Sequence, residues 1–364
     1  MKRGRWWIAA ACLVAWLGFG TCRAQPPAER VETLRRGINL TGWFRYPASR
    51  DPAALSTWIT DAALGDLARA GFGFVRLPVE PDMVADPAIR AVLLRAIRRI
   101  QGHGMAVVVE PHPANWRLEE SAADRAALLA FWTRLAPDLR ALDPERLFPE
   151  ILNEPVFADD PAAWHRLQEQ AYGIVRAILP DATVILTGHD WGSVRGLLAL
   201  TPRPERNVVY SVHYYDPSEM TALASYRRGL DRAALSRLPF PWEETRCAAA
   251  NTDAETAGLI RYLCAMRWDA ARVRAGLALA RDWGRRHGVH VVVGEFGADI
   301  AWNRPSRLAW LSAVRTAAEE SGMGWALWGY DDIMGFAVRR PLPARPVLDP
   351  GVLAALGLSP AAPK

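Results

Sequence analysis

Cysteine is scarce in this chain, with four residues in 364. Two of them, Cys12 and Cys22, fall within the first 24 residues. Without that stretch only Cys247 and Cys264 remain, so no disulfide-built scaffold is available and at most one bridge can form. Long apolar runs are also missing beyond Trp6 to Phe19, which is too short to span a bilayer comfortably. No stripe of one charge sign occurs. The chain carries 44 basic and 39 acidic residues, and Lys2, Arg3, Arg5 and Arg23 sit in a leader with no acidic partner. The rest is close to neutral, which argues against a nucleic-acid partner and suits an uncharged polymer. The seven histidines include no His-x-His pair, so no metal cage and no cofactor is expected. The stretch Gly37-Ile38-Asn39-Leu40-Thr41-Gly42 lacks the spacing of a phosphate-binding glycine loop. No Pro/Ser-rich linker, low-complexity run or repeat divides the chain, so residues 25–364 read as one domain.

What is present begins with export. Residues 1–24 read as a signal peptide: a positive start, an apolar stretch and a small residue, Ala24, for cleavage. Cys22 raises lipidation as an alternative, although Phe19-Gly20-Thr21 lacks the usual leucine. An exported chain enters an oxidising compartment, periplasmic or extracellular. There Cys247 and Cys264 suggest a disulfide stapling a local loop; two buried thiols are the alternative. No stable membrane insertion is expected after cleavage.

The remainder alternates short β-rich apolar runs with longer helical ones. Strands are expected at Gly37 to Leu40, Phe74 to Pro78, Met105 to Glu110, Leu147 to Leu152, Thr183 to Thr187, Val208 to Tyr214, Val289 to Phe296 and Trp325 to Tyr330. A helical stretch follows each. After the sixth strand it is delayed by a long loop, Asp216 to Leu263, of the kind that is usually functional in a compact domain. Eight such units predict a closed (β/α)₈ TIM barrel of class α/β. A doubly wound open sheet is the alternative, and the missing glycine loop weighs against it.

In a barrel of this kind the chemistry lies at the C-terminal strand ends. The polar residues expected there are Asn39 and Trp43, Arg76, His112, Asn153 and Glu154, His189 and Trp191, His213 and Tyr215, Glu295, and Trp328 with Asp331. Two carboxylates stand out. Glu154 follows the run Ile151-Leu152-Asn153, and Glu295 follows Val289 to Gly294. A pair held close by a rigid sheet is what a retaining glycosidase requires.

Arg76 in Val75-Arg76-Leu77-Pro78, His112, Asn153-Glu154-Pro155, His213-Tyr214-Tyr215, Glu295 in Gly294-Glu295-Phe296-Gly297, and Trp328 occur in one order along almost the whole chain. In these motifs the chain resembles glycoside hydrolase family 5, the (β/α)₈ retaining glycosidases that include cellulases and mannanases. The resemblance implies that Glu154 is the acid/base and Glu295 the nucleophile, with carboxyl groups roughly 5–5.5 Å apart. It implies that Asn153 bonds the sugar 2-hydroxyl, that His112 and His213 orient substrate or carboxylates, and that Trp328 is a sugar platform. Arg76 and Tyr215 would favour the charged form of Glu295.

Three of the 16 tryptophans lie in the leader. Of the others, Trp43, Trp116, Trp191 and Trp302 are expected in loops at the cleft, and Trp132, Trp164, Trp283 and Trp310 in helices as packing residues. The expected partner is an oligo- or polysaccharide bound by a monomer. A β-1,4-glucan is the first choice, with β-mannan, β-1,3-glucan or an exopolysaccharide behind it. A non-catalytic sugar-binding protein is the reading from another class, and the presence of both carboxylates weighs against it. Asp331-Asp332 and the long sixth loop depart from the simplest cellulase pattern.

Overall fold

The computed structural model describes residues 26–205, 207–248 and 253–360. The expected signal peptide lies outside them. Eight parallel strands form the sheet: β1 (Arg36–Asn39), β2 (Phe74–Val79), β3 (Ala106–Pro111), β4 (Leu147–Pro149), β5 (Val184–Thr187), β6 (Val208–His213), β7 (His290–Phe296) and β8 (Gly324–Leu327). β1 pairs with both β2 and β8. β4 and β5 meet through one bridge, Glu150↔Ile185, and the Ile151 N–H bonds the Ile185 carbonyl at 3.1 Å. β4 is shorter than the sequence suggests because Pro149 has no N–H to donate. The chain nevertheless stays extended, and Asn153 N–H still reaches the Pro111 carbonyl at 3.2 Å.

The outer helices are α1 (Asp61–Ala70), α2 (Pro87–Gly102), α3 (Ala122–Leu139), α4 (Pro161–Ile178), α5 (Val194–Leu198), α6 (Ala270–His287), α7 (Arg304–Glu320) and α8 (Pro350–Ala355). Each begins at a side chain that accepts from a first-turn N–H: Thr60, Asp86, Ser121, Asp160, Ser193, Asp269, Asn303 and Asp349. Such caps satisfy donors that have no intrahelical partner, so the sequence marks where each of these eight helices starts. Trp132, Trp164, Trp283 and Trp310 are buried between helices and barrel, as their helical positions suggest.

Two apolar layers result. Leu34, Phe74, Ala106, Val108, Phe148, Ile185, Val209, Val292 and Ala326 fill the lower barrel. Their neighbours in sequence, such as Val75, Val107, Val184 and Val293, face the helices. This is the period-two alternation of a strand. Two positions further along β2, β3 and β4, the inward places pass to Arg76, Glu110 and Glu150. All three are buried.

β7 breaks the alternation. Val293 pairs with Val212, but the next pair is Glu295 with His213, so one extra residue is inserted. The register shifts against β8 as well. This bulge turns Glu295 inward, where strict alternation would send it toward the helices. Gly294 supplies the extra residue, and a Cβ there would lie 2.3 Å from Ser211 Oγ.

The long connection after β6 is not open loop. It contains the short helices Ser218–Thr221, Arg232–Leu235 and Glu244–Ala248, and the longer Ala254–Ala265. It is pinned to the start of α7: Trp302 Nε1 donates to the Leu238 carbonyl at 2.9 Å, and Phe240 N–H to Ser306 Oγ at 2.8 Å. Cys247 and Cys264 are bonded, with Cα atoms 6.0 Å apart. Removing the bridge by Cys247→Ser is expected to cost up to about 3 kcal/mol, the entropy of a closed loop of this length. Urea melts with and without reductant would show it, and coincident midpoints would mean that the bridge is dispensable. Among the described residues no helix is long and apolar enough to cross a membrane.

Candidate active site

Arg76 is the centre of the upper barrel. It is buried, and all five of its N–H groups are used. Nε and Nη2 grip Glu150 at 2.6 and 3.1 Å. Nη1 donates to Glu295 Oε1 at 2.5 Å and Asn39 Oδ1 at 3.1 Å, and Nη2 also donates to Asn153 Oδ1 at 3.1 Å. Asn39 in turn donates from Nδ2 to the Gly294 and Leu327 carbonyls at 3.3 and 3.2 Å. One guanidinium thus joins the ends of β1, β2, β4 and β7.

Glu295 also accepts from the Tyr215 hydroxyl at 3.0 Å. Burial, and next the neighbouring Glu295 charge, push the Tyr215 phenol well above its ordinary range, so it remains a donor. Its carbonyl accepts from Thr221 Oγ1 at 2.6 Å, which is how the sixth connection braces the site. Glu154 faces Glu295. His213 Nδ1 lies 2.9 Å from Glu154 Oε1 and 3.5 Å from Glu295 Oε2. One oxygen of each carboxylate and one His213 nitrogen all fall within 4.8 Å of one another. That is close enough for the two carboxyls to act on one bond, as acid and nucleophile. These three side chains also make a grouping that sequence spacing did not reveal as a cation site. Arg76 already supplies the positive charge at Glu295 that a cation would bring.

Burial raises the pKa of both carboxyls, that of Glu295 to about 7, because each would leave a charge without bulk water beside another charge. Burial lowers His213 to about 4, so its imidazole is neutral. The pair therefore shares one proton near neutrality. Geometry puts that proton on Glu154: Glu295 accepts from Arg76 at 2.5 Å and Tyr215 at 3.0 Å, which favour its charged form, whereas Glu154 meets the neutral His213. Glu154 also has φ at 41°, with Phe157, Asp190 and Trp191 left-handed beside it. Such non-glycine positions cost about 1–3 kcal/mol each and are held by their surroundings.

The profile of the cellulase family, glycosyl hydrolase family 5, matches residues 37–332. The chain belongs to glycosyl hydrolase family 5. Endoglucanase 3 of Fibrobacter succinogenes is 23% identical over 334 residues, covering 83% of this chain and 50% of that protein, so the chain spans half of that relative. Endoglucanase C of Acetivibrio thermocellus is 22% identical over 315 residues, covering 82% and 91%. Among solved structures, endoglucanase Cel5A of Thermotoga maritima superposes with a TM-score of 0.73 at 24% identity, covering 91% of this chain and 99% of that one. The cellulose synthase subunit Z of Clostridioides difficile gives 0.70 at 21%, covering 89% and 99%.

In this family 5 site, Asn153 is held from both sides. Its Oδ1 accepts from Arg76 and its Nδ2 lies 3.2 Å from His112 Nε2. His112 stacks on Trp328 with ring centroids 5.4 Å apart at 24°. Trp328 is 8 % exposed, is followed by a cis peptide to Gly329, and its side chain is hydrogen-bonded to Asp332. Asp331 accepts from Thr41 Oγ1 at 2.9 Å and Gly42 N at 3.1 Å, and pairs with Arg340. The unusual Asp331-Asp332 pair thus fastens the β8 loop to the β1 loop and holds Trp328.

The aromatic expectations divide. Trp191 is 54 % exposed, and its backbone is tied to the segment after Glu154: Trp191 N–H reaches the Pro155 carbonyl at 3.0 Å. Trp116 is half-buried against the core. Trp43 and Trp302 do not face the cleft. Trp43 is buried, stacked on Trp58 at 5.3 Å, with its indole N–H on the Leu55 carbonyl at 2.8 Å. Trp302 is buried beneath the sixth connection. Trp43, in the short helix Thr41–Phe44 rather than a loop, and Trp302, in the loop before α7, both turn inward, because an indole that finds an apolar neighbour and a carbonyl is better satisfied there than in water. Glu150, Glu110 and Tyr46 were not singled out from the sequence. A charge inside the runs Leu147 to Leu152 and Ala106 to Pro111 was the available signal. Tyr46 is 46 % exposed and edge-on to His112 at 6.4 Å.

Protonating Glu295 should set the acid limb of kcat/KM, and losing the shared proton from Glu154 the alkaline limb. Glu154→Gln should keep the acid limb and lose the alkaline one on a substrate with an activated leaving group. An unchanged bell in that variant would assign the proton elsewhere.

Proposed function

We propose that this chain is an endo-acting β-1,4-glucanase that works by double displacement. The observation that carries this reading is the close pair of carboxylates in unequal settings. Glu295, ionised by Arg76 and Tyr215, attacks the anomeric carbon. Glu154 gives its proton to the departing glycosidic oxygen, and a covalent glycosyl–enzyme forms through Glu295. Glu154, now a carboxylate, takes a proton from an incoming water, whose oxygen displaces Glu295 and restores the anomeric configuration. His213 bridges the two groups as a neutral imidazole. Asn153 is assigned to the 2-hydroxyl, Trp328 to the ring bound before the scissile bond, and Trp191 to the rings beyond it, on the Glu154 side. An exported, disulfide-bonded monomer acting on soluble or amorphous chains fits this reading.

The experiment is reducing-end release from carboxymethyl cellulose, mixed-linkage glucan, mannan, β-1,3-glucan and xylan. Cleavage of the two β-1,4-linked glucans is expected, with Trp191→Ala losing several-fold in kcat/KM on polymer and little on a short aryl glycoside. β-Mannan is the second reading, because the Thermotoga maritima Cel5A fold has been seen with mannotriose and with cellobiose. Mannan cleavage without glucan cleavage would replace the substrate and keep the mechanism. Release from none of the polymers would overturn the reading.

A further inference from the structure

Glu110 is buried at the end of β3 and no step of the mechanism uses it. Its Oε1 lies 3.0 Å from His112 Nδ1 and 3.4 Å from Arg76 Nη1. Its Oε2 is buried and has no hydrogen-bond partner among the described residues. His112 Nε2, on the other side of the ring, meets Asn153 Nδ2. We propose that Glu110 is a positioning residue, which sets the tautomer of His112 and, through that ring, the way the Asn153 amide faces the sugar.

Burial pushes Glu110 to about 7, so it samples both protonation states near neutrality. The groups around it are Arg76 from β2, Arg45 from the β1 connection, Glu154 from the β4 end and His112 beside it. Oε1 lies 3.4 Å from the Arg76 cation, whose charge favours a bare oxygen there, so a proton on Glu110 goes to Oε2. Oε1 therefore accepts in either state, and His112 Nδ1 must carry the hydrogen. Burial, and next the Arg76 charge, push His112 well below its ordinary range, so Nε2 stays bare and accepts. Asn153 must then turn its NH₂ to His112 and its oxygen to Arg76. One N–H remains for the substrate, and a 2-hydroxyl facing it is an acceptor there. That hydroxyl keeps its own hydrogen free for the Glu295 carboxylate.

Removing the Oε1 acceptor frees His112 to hold its hydrogen on Nε2, against the Asn153 NH₂. The inference rests on the glycosidase reading for its consequence, but its first test does not. Nitrogen-15 spectra of histidine-labelled enzyme, with His112 assigned by His112→Gln, should show the Nδ1–H tautomer in the wild type. An Nε2–H tautomer there overturns the proposal whether or not the protein cleaves any glycan, and whether or not variants fold. Glu110→Leu should switch the tautomer and lower kcat about tenfold or more with KM little changed, the loss of one hydrogen bond that strengthens at the transition state. Glu110→Gln keeps a carbonyl oxygen in place and should restore both. On an aryl β-cellobioside lacking the 2-hydroxyl of the ring being cleaved, Glu110→Leu and wild type should be nearly equal. An equal loss on the 2-hydroxy and 2-deoxy substrates would mean that Glu110 only supports the barrel, and would overturn the proposal.

Discussion

Glu154→Gln and Glu295→Gln are expected to lose activity in two distinguishable ways. Both are isosteric, so each removes chemistry more than packing. Glu154→Gln cannot protonate the leaving oxygen, and kcat on a polymer should fall by about 10²–10⁴. On a dinitrophenyl glycoside, whose leaving group needs no proton, the first step should survive while the second does not. A burst of phenolate followed by a slow steady state is the expected trace. A small anion such as azide needs no general base and should speed that steady state. Glu295→Gln removes the atom that forms the covalent bond. It should fall further, show no burst and ignore the leaving group. A burst in the Glu295 variant, or its absence in the Glu154 variant, would reverse or cancel the assignment. The geometry behind the prediction is asymmetric: Glu295 is fixed by Arg76 at 2.5 Å and Tyr215 at 3.0 Å, while Glu154 meets the neutral His213 at 2.9 Å.

Arg76→Met should have the largest effect on stability. The guanidinium is the cation between Glu110, Glu150 and Glu295, none of which can reach bulk water. Removing one partner of a buried pair costs about 3–5 kcal/mol, because the remaining charge is left uncompensated. The pH dependence has a definite sign. Glu110, and the Glu154–Glu295 pair through the proton it shares, titrate at about 7 in the folded protein, above an unfolded value of about 4.3. Between those values the folded state holds more protons than the unfolded one, so the contribution of these two groups falls as pH rises. Without Arg76 their carboxyls go higher still. The stability deficit of the variant should therefore grow from pH 5 towards pH 8 and shrink on acidification. Arg76→Lys keeps a charge but not the fork that grips Glu150 from two nitrogens, and should fall between. Urea midpoints across that pH range would test this. A deficit that is constant with pH would mean the cost is packing rather than charge.

The site was partly legible before any coordinates. Arg76, His112, Asn153, Glu154, His213, Tyr215, Glu295 and Trp328 do converge, because each ends or follows a strand and parallel strands bring their ends to one face. Trp191 is exposed and tied by its backbone to the segment after Glu154. Trp43 and Trp302 do not converge there, since a loop position says which end of the barrel a side chain occupies but not whether it faces in or out. Glu110 and Glu150 escaped notice because a charge inside an apolar run looks like a strand boundary. Only the closed barrel shows that they point at a common cation.

The sequence by itself determined the alternation of eight strands and helices, the polar cap before every outer helix, and the residues at the strand ends. These follow from period, capping chemistry and chain order, which are local. The tertiary structure alone decided which way those residues point. The β7 bulge at Gly294 turns Glu295 into the barrel, β4 closes on β5 through little more than Glu150, and Arg76 finds partners 37 to 219 residues away. Direction, burial and pairing depend on distant strands meeting, and no local stretch of sequence carries them.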